Sequence, residues 1–152
     1  MRREFLDVLA YCLMPNHYHL LVYLRSEEVS RKVMQPFGTS YSKAINKQQG
    51  RVGPLFQGPF KAKLVDDDGY LAHLTRYIHL NPVEAGLVDR AADWPYSSYG
   101  EYAGMKKLSL SRPELIVEQF GSWEAYREFV EGDEESTSEA FLKGLVRYSE
   151  FE

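Results

Sequence analysis

Residues 5–24 read FLDVLAYCLMPNHYHLLVYL, and the rest of the chain is organised around this stretch. Residues 5–13 have the length and apolar content of a strand. The Pro15–Asn16 pair is a turn signal, and residues 17–24 form a second apolar run. Strand, tight turn and strand in succession predict an antiparallel hairpin. His17 and His19 alternate on the second run, so both imidazoles leave one face, within reach of a single divalent cation. Taken alone, two histidines at this spacing are more often structural than ligating. Their meaning depends on the remainder of the chain.

Downstream, Ser26, Glu27 and Glu28 mark a helix start, and Val29, Val33, Phe37, Tyr41 and Ile45 recur at near-helical spacing as far as Gly50. Pro36 falls inside that pattern, so the helix is either kinked or begins near the proline. Residues 50–60, GRVGPLFQGPF, form a loop punctuated by glycine and proline. Residues 60–65, FKAKLV, have the alternation of a third strand with Lys61 and Lys63 on one face. Asp66, Asp67 and Asp68 then offer capping oxygens to a helix running through Tyr70, Leu71, Leu74 and Ile78. The Asn81–Pro82 pair is expected to end or kink it. An aromatic segment follows at 93–104, DWPYSSYGEYAG, then helical patterns around 112–120 and 122–131. The acidic stretch 131–139, EGDEESTSE, reads as a linker before a last short helix. No internal repeat is visible. The order strand, strand, helix, strand, helix, then helices, predicts an α+β fold.

The bulk numbers bound the function. At 152 residues, with 44% hydrophobic and 14% aromatic content, the chain has enough material for one domain with a real core. A lone cysteine, Cys12, excludes a disulfide framework and a CxxC metal site, which points to a reducing compartment. No run of 18 apolar residues and no apolar signal core are present, so the expectation is a cytoplasmic protein with no membrane partner. The net charge of -4 conceals a gradient. Residues 1–65 hold ten Lys/Arg against four Asp/Glu, and residues 66–152 hold eight against eighteen. The basic half can meet phosphates even though the average is acidic.

Tyr77 and Asn81 lie four residues apart on the predicted helix, flanking the Leu71/Leu74/Ile78 stripe where a core edge meets a cleft. A tyrosine in that place is by default a rim aromatic, and Asn81 a cap or turn residue. His73 and His79 on the same helix are left out of any metal site.

Four motifs in order change that default: MPNHYHLLV at 14–22, GRVGPLFQGPFKAKLVD at 50–66, RYIHLNPVEAGLV at 76–88 and DWPYSSY at 93–99. Over residues 8–104 the chain resembles the REP-associated tyrosine transposases and the wider single-tyrosine HUH transposase family. The resemblance implies a ferredoxin-like antiparallel sheet with helices on one face. It also implies a metal-dependent endonuclease and strand transferase acting on single-stranded, hairpin-containing DNA. On matching positions Tyr77 is the nucleophile that forms a covalent 5′-phosphotyrosine. His17 and His19 are metal ligands, with Asn81 in the place of the residue that completes the site. Imidazoles favour transition metals, whereas the family's use implies Mg²⁺ or Mn²⁺ with phosphate and water oxygens filling the remaining positions. DNA contacts are expected from Lys43, Lys47 and Arg51, from Lys61 and Lys63, and from Gln57 in the loop, where Phe56 and Phe60 also lie.

The chain departs from the family pattern in two respects. Relatives usually begin with a further strand and helix, the strand lying centrally in the sheet, whereas this sequence opens just before the hairpin. The lost pairing has to be met by rearrangement, by concealment or by a partner strand such as a homodimer would bring. Pro59 and Glu84 also stand where relatives often carry a basic residue, which weakens phosphate binding. The expected organisation is a catalytic domain over residues 1–104 and a C-terminal helical extension with an acidic linker over 105–152. Two other readings stay open: a truncated or domesticated protein that binds structured DNA without cutting it, and a zinc hydrolase in which Tyr77 is incidental.

Overall fold

The computed structural model describes residues 4–106 and 109–132. The acidic stretch beyond Gly132 and the last short helix expected after it lie outside these residues. The described part has a two-stranded antiparallel sheet and several helices, an α+β arrangement. Strand β1 spans Leu6–Leu13 and β2 spans Tyr18–Leu24. They are joined across Pro15 and Asn16, where the Met14 N–H donates to the His17 carbonyl at 2.9 Å. The chain divides into two compact units: residues 1–7 with 23–63, and residues 8–22 with 64–152.

In the first unit, a short π-helical turn at Ser30–Met34 leads into α1, Gln35–Gln49. Pro36 sits in the first turn of α1, where its missing N–H costs little. The wider turn before it closes through the Gln35 N–H on the Ser30 carbonyl. Gly50 ends α1 in the left-handed conformation, φ 60°, and its N–H donates to the Asn46 carbonyl. Val29 and Val33 are buried, but α1 itself buries no residue. The predicted apolar face of this helix therefore does not become core: Phe37 and Tyr41 are exposed. Asp7 is buried and held in a 2.6 Å ion pair with Arg25.

The expected third strand at 60–65 is not formed. These residues have no regular structure, and Phe60, Lys61, Lys63 and Leu64 are exposed. The physical reason lies in β1. Its residues Leu6 to Ala10 are all buried, and the edge away from β2 is occupied by later parts of the chain. Leu13 N–H donates to the Tyr96 carbonyl and Ser98 N–H to the Tyr11 carbonyl, both at 2.9 Å. Tyr11 N–H donates to Ser98 Oγ, Arg112 N–H to the Val8 carbonyl, and the Tyr102 hydroxyl to the Leu9 carbonyl. With these groups satisfied, β1 offers no free edge to residues 60–65, and alternation without a partner does not make a strand. Among the described residues the sheet stops at two strands and one bridge, Cys12 to Ser97, short of the ferredoxin-like sheet.

The second unit holds the main core. Helix α2, Asp68–Glu84, starts at Asp67, whose carboxylate accepts from the Gly69 N–H at 2.8 Å. Pro82 does not end α2: it removes one backbone donor, and the helix runs on to Glu84, with Gly86 two residues later in the left-handed conformation at φ 68°. Leu74 and Ile78 of α2 pack with Leu9, Cys12 and Leu21 of the hairpin, and with Tyr99 and Tyr102 of α3, Tyr99–Tyr102. Ile116 and Val117 of α4, Glu114–Val117, and Tyr126 and Val130 of α5, Trp123–Glu131, belong to that same core. Residues of α4 and α5 thus contribute to this unit's interior. Burial pushes the Cys12 thiol up to about 12, leaving it an inert apolar group.

Candidate active site

Helix α2 is fixed on both flanks of Tyr77. Before it, Arg76 sends Nε to the Phe129 carbonyl at 2.9 Å and a terminal nitrogen to the Gly132 carbonyl at 3.0 Å. These bonds put a cation on the C-terminal carbonyls of α5, where the helix dipole favours it. After it, His79 is completely buried, with Nδ1 2.6 Å from the Tyr126 hydroxyl and Nε2 2.7 Å from Ser98 Oγ. Burial pushes this imidazole down to about 3, so it is neutral and serves as one donor and one acceptor. Tyr99, Tyr102 and Tyr126 all pack edge-on to its ring. Thr75 and Ile78 are also buried, while Tyr77 itself is only half-buried at the rim.

The hairpin brings its two histidines to that rim. His17 Nε2 and His19 Nε2 converge at 3.2 Å, with the rings nearly perpendicular. The His19 ring lies 5.9 Å from the Tyr77 ring, again edge to face. His17, His19 and Tyr77 are therefore gathered in one place, within one compact unit. Asn81 is one helical turn beyond Tyr77 and is buried at 8% exposure. Asn16, which the sequence marked only as a turn residue, also orients a histidine, because its Oδ1 is 2.7 Å from His17 Nδ1. That bond places the His17 proton on Nδ1 and leaves the Nε2 lone pair facing His19.

The donor set suits a cation that keeps open positions. Two nitrogens about 2.1 Å from a common ion lie roughly 3.2 Å apart when they subtend about 100°, between tetrahedral and octahedral angles. The observed separation matches that spacing. Without an ion, the same contact is an N–H···N hydrogen bond from His19 to His17, and ligation requires His19 to move its proton to Nδ1. Among the described residues no group of three or more His, Cys, Asp or Glu could hold a metal. A zinc hydrolase site with three such ligands is therefore not built by the described residues.

The residues expected to meet DNA, Lys43, Lys47, Arg51, Gln57, Lys61 and Lys63, are all exposed and all belong to the first unit. Lys43 and Lys47 sit one turn apart on α1. Among the described residues no helix is long and apolar enough to cross a membrane.

The protein-family model described as "Transposase IS200 like" matches residues 2–81, which include the hairpin, both histidines, Tyr77 and Asn81. The chain belongs to this transposase family. It is also 31% identical over 103 residues to a putative REP-associated tyrosine transposase of Haemophilus influenzae, a match covering 61% of this chain and 58% of that protein. The chain thus spans under two thirds of that relative's length. No solved structure matches the chain significantly.

Proposed function

We propose that this transposase-family chain cuts and rejoins single-stranded DNA next to hairpins, with Tyr77 as the nucleophile. The observation that supports this most is the meeting of the Tyr77 ring with the converging His17 and His19 pair. His17 and His19, with Asn81 as a third protein donor, would hold a divalent cation, Mn²⁺ or Mg²⁺, which would polarise the scissile phosphate oxygen.

The chain's own residues do the rest. The Arg76 and His79 anchors hold α2 so that the phenol stays beside the histidines, which contributes positioning for in-line attack. The Tyr77 oxygen gives up its proton and forms a bond to phosphorus as the bond from phosphorus to the 3′ oxygen breaks. One strand leaves with a free 3′-hydroxyl, and the other stays on Tyr77 through its 5′ phosphate. Attack by another 3′-hydroxyl reverses the step, forms the new phosphodiester and returns the phenol. Basic side chains of the first unit, Lys43, Lys47, Arg51, Lys61 and Lys63, with Gln57, bind the DNA.

The test is incubation with hairpin DNA labelled on the 3′ side of the cut and Mn²⁺, followed by denaturing electrophoresis. The expected result is a protein-linked label that vanishes with Tyr77→Phe or with chelator. Labelled DNA that shifts in a native gel, with no adduct under any divalent metal, would replace cutting by binding alone. Cleavage that survives Tyr77→Phe contradicts the role of Tyr77.

A further inference from the structure

Three aromatic rings of the first unit stand in a row outside any core. Phe37 and Tyr41, on successive turns of α1, have centroids 6.1 Å apart and planes 23° from parallel. Phe56, from the following loop, extends the row at 6.2 Å and 28° from Tyr41. Their exposures are 38%, 46% and 36%, respectively. The loop that carries Phe56 is tied back to α1: Asn46 Nδ2 donates to the Gly53 carbonyl at 2.8 Å, and Arg51 N–H to the Asn46 carbonyl at 2.9 Å. The row is thus held by two elements.

The segment that carries the row has one sign of charge. Residues 29–65 contain seven Lys/Arg and no Asp or Glu, so no carboxylate in this segment repels a phosphate. Lys43 and Lys47 lie roughly 80–160° around α1 from the two helix rings, taking about 100° per residue. Arg51 lies in the loop of Phe56, five residues before it. An unpaired strand presents the two features this surface fits: bare base faces for the rings and phosphates for the cations. A duplex hides its base faces. A second copy of this segment would bring cations against cations.

We propose that Phe37, Tyr41 and Phe56 form a stacking platform for the unpaired bases of a single-stranded segment of the DNA substrate. The inference rests on the single-strand reading above and deepens it by assigning the surface that tells single strands from duplex.

The test measures binding of the full-length chain to oligo-dT and to a duplex of equal length, by fluorescence anisotropy in EDTA. Binding alone is read, so loss of Tyr77 chemistry does not affect the outcome. Phe37→Leu and Tyr41→Leu keep apolar bulk but remove the stacking face. Each is expected to weaken oligo-dT binding at least about fivefold, with duplex affinity and the salt slope of binding unchanged. Arg51→Gln should lower that slope. Tyr41→Trp guards against a folding artefact: it should bind oligo-dT as tightly as the wild type, with its added fluorescence quenched by oligo-dT and not by duplex. Equal losses on both DNAs, or no loss on oligo-dT, would overturn the proposal. So would leucine variants that sediment as a smaller species with DNA affinity intact, because the row would then be an interface between copies.

Discussion

Helices α1 and α2 are similar in length, fifteen and seventeen residues, yet they are used in opposite ways. Helix α2 buries Leu74, Thr75, Arg76, Ile78, His79, Asn81 and Pro82, and three of its polar side chains are tied to carbonyls or hydroxyls elsewhere in its unit or helix. Helix α1 buries nothing and carries exposed rings and lysines in a segment without acidic residues. The contrast separates two demands on a DNA-processing protein. Bond-making geometry needs a side chain that cannot wander, whereas holding a strand needs accessible rings and charge.

The largest expected effect that could break this comparison is on the rigid side. His79→Leu leaves the Ser98 and Tyr126 hydroxyls without their central partner, and should cost about 2–4 kcal/mol by denaturant titration. Tyr41→Leu on α1 should change stability by less than about 0.5 kcal/mol in the same assay. If the two cost the same, α1 is as much a part of a core as α2, and the division fails.

A second, smaller effect concerns how the hairpin presents the proposed metal ligands. Asn16→Ala removes the acceptor that orients His17 and should weaken Mn²⁺ binding, followed calorimetrically, by roughly 10-fold or more. Unfolding by denaturant should be unaltered. Unchanged metal affinity would mean that the His17 orientation is set without Asn16.

The smallest effect is a pH dependence confined to the core unit. Burial alone would raise the Glu101 carboxyl, but hydrogen bonds from the Ser111 side chain and backbone and from the Tyr11 hydroxyl outweigh it and hold it below its ordinary value of 4.5. The folded state therefore binds this proton less readily than the unfolded chain. Its stabilisation is complete above about pH 4.5 and is lost as pH falls through the lowered folded value. Glu101→Gln should flatten that acid limb of the stability curve. An acid limb identical to that of the wild type would show that Glu101 does not contribute to it.

How much of this was legible in the sequence depends on where each signal resides. The hairpin and α2 carry their own local instructions, namely an apolar run, a Pro–Asn turn and an Asp cap, and they fold where expected. The third strand was misread because alternation at 60–65 says nothing about whether an edge is free. β1's edge is taken by residues 96–98 through one bridge and side-chain bonds that have no periodicity. Phe37 and Tyr41 repeat at core spacing, yet spacing cannot tell a buried face from a stacking face. The gathering of His17, His19 and Tyr77 could be anticipated only through the four ordered motifs, since histidine alternation alone favours a structural pair. Asn16 and His79 were missed as positioning residues; the only cue for Asn16 was a short polar side chain directly before the histidine pair.

The proposed role of Tyr77 is to take the DNA covalently. After reaction with hairpin DNA and Mn²⁺, nuclease and trypsin digestion followed by mass spectrometry reads this directly. Cleavage after Arg76 and Arg90 releases residues 77–90, whose one tyrosine is Tyr77. A nucleotide phosphate remnant on that peptide is the predicted result; a remnant on any other peptide, with 77–90 unmodified, would contradict it.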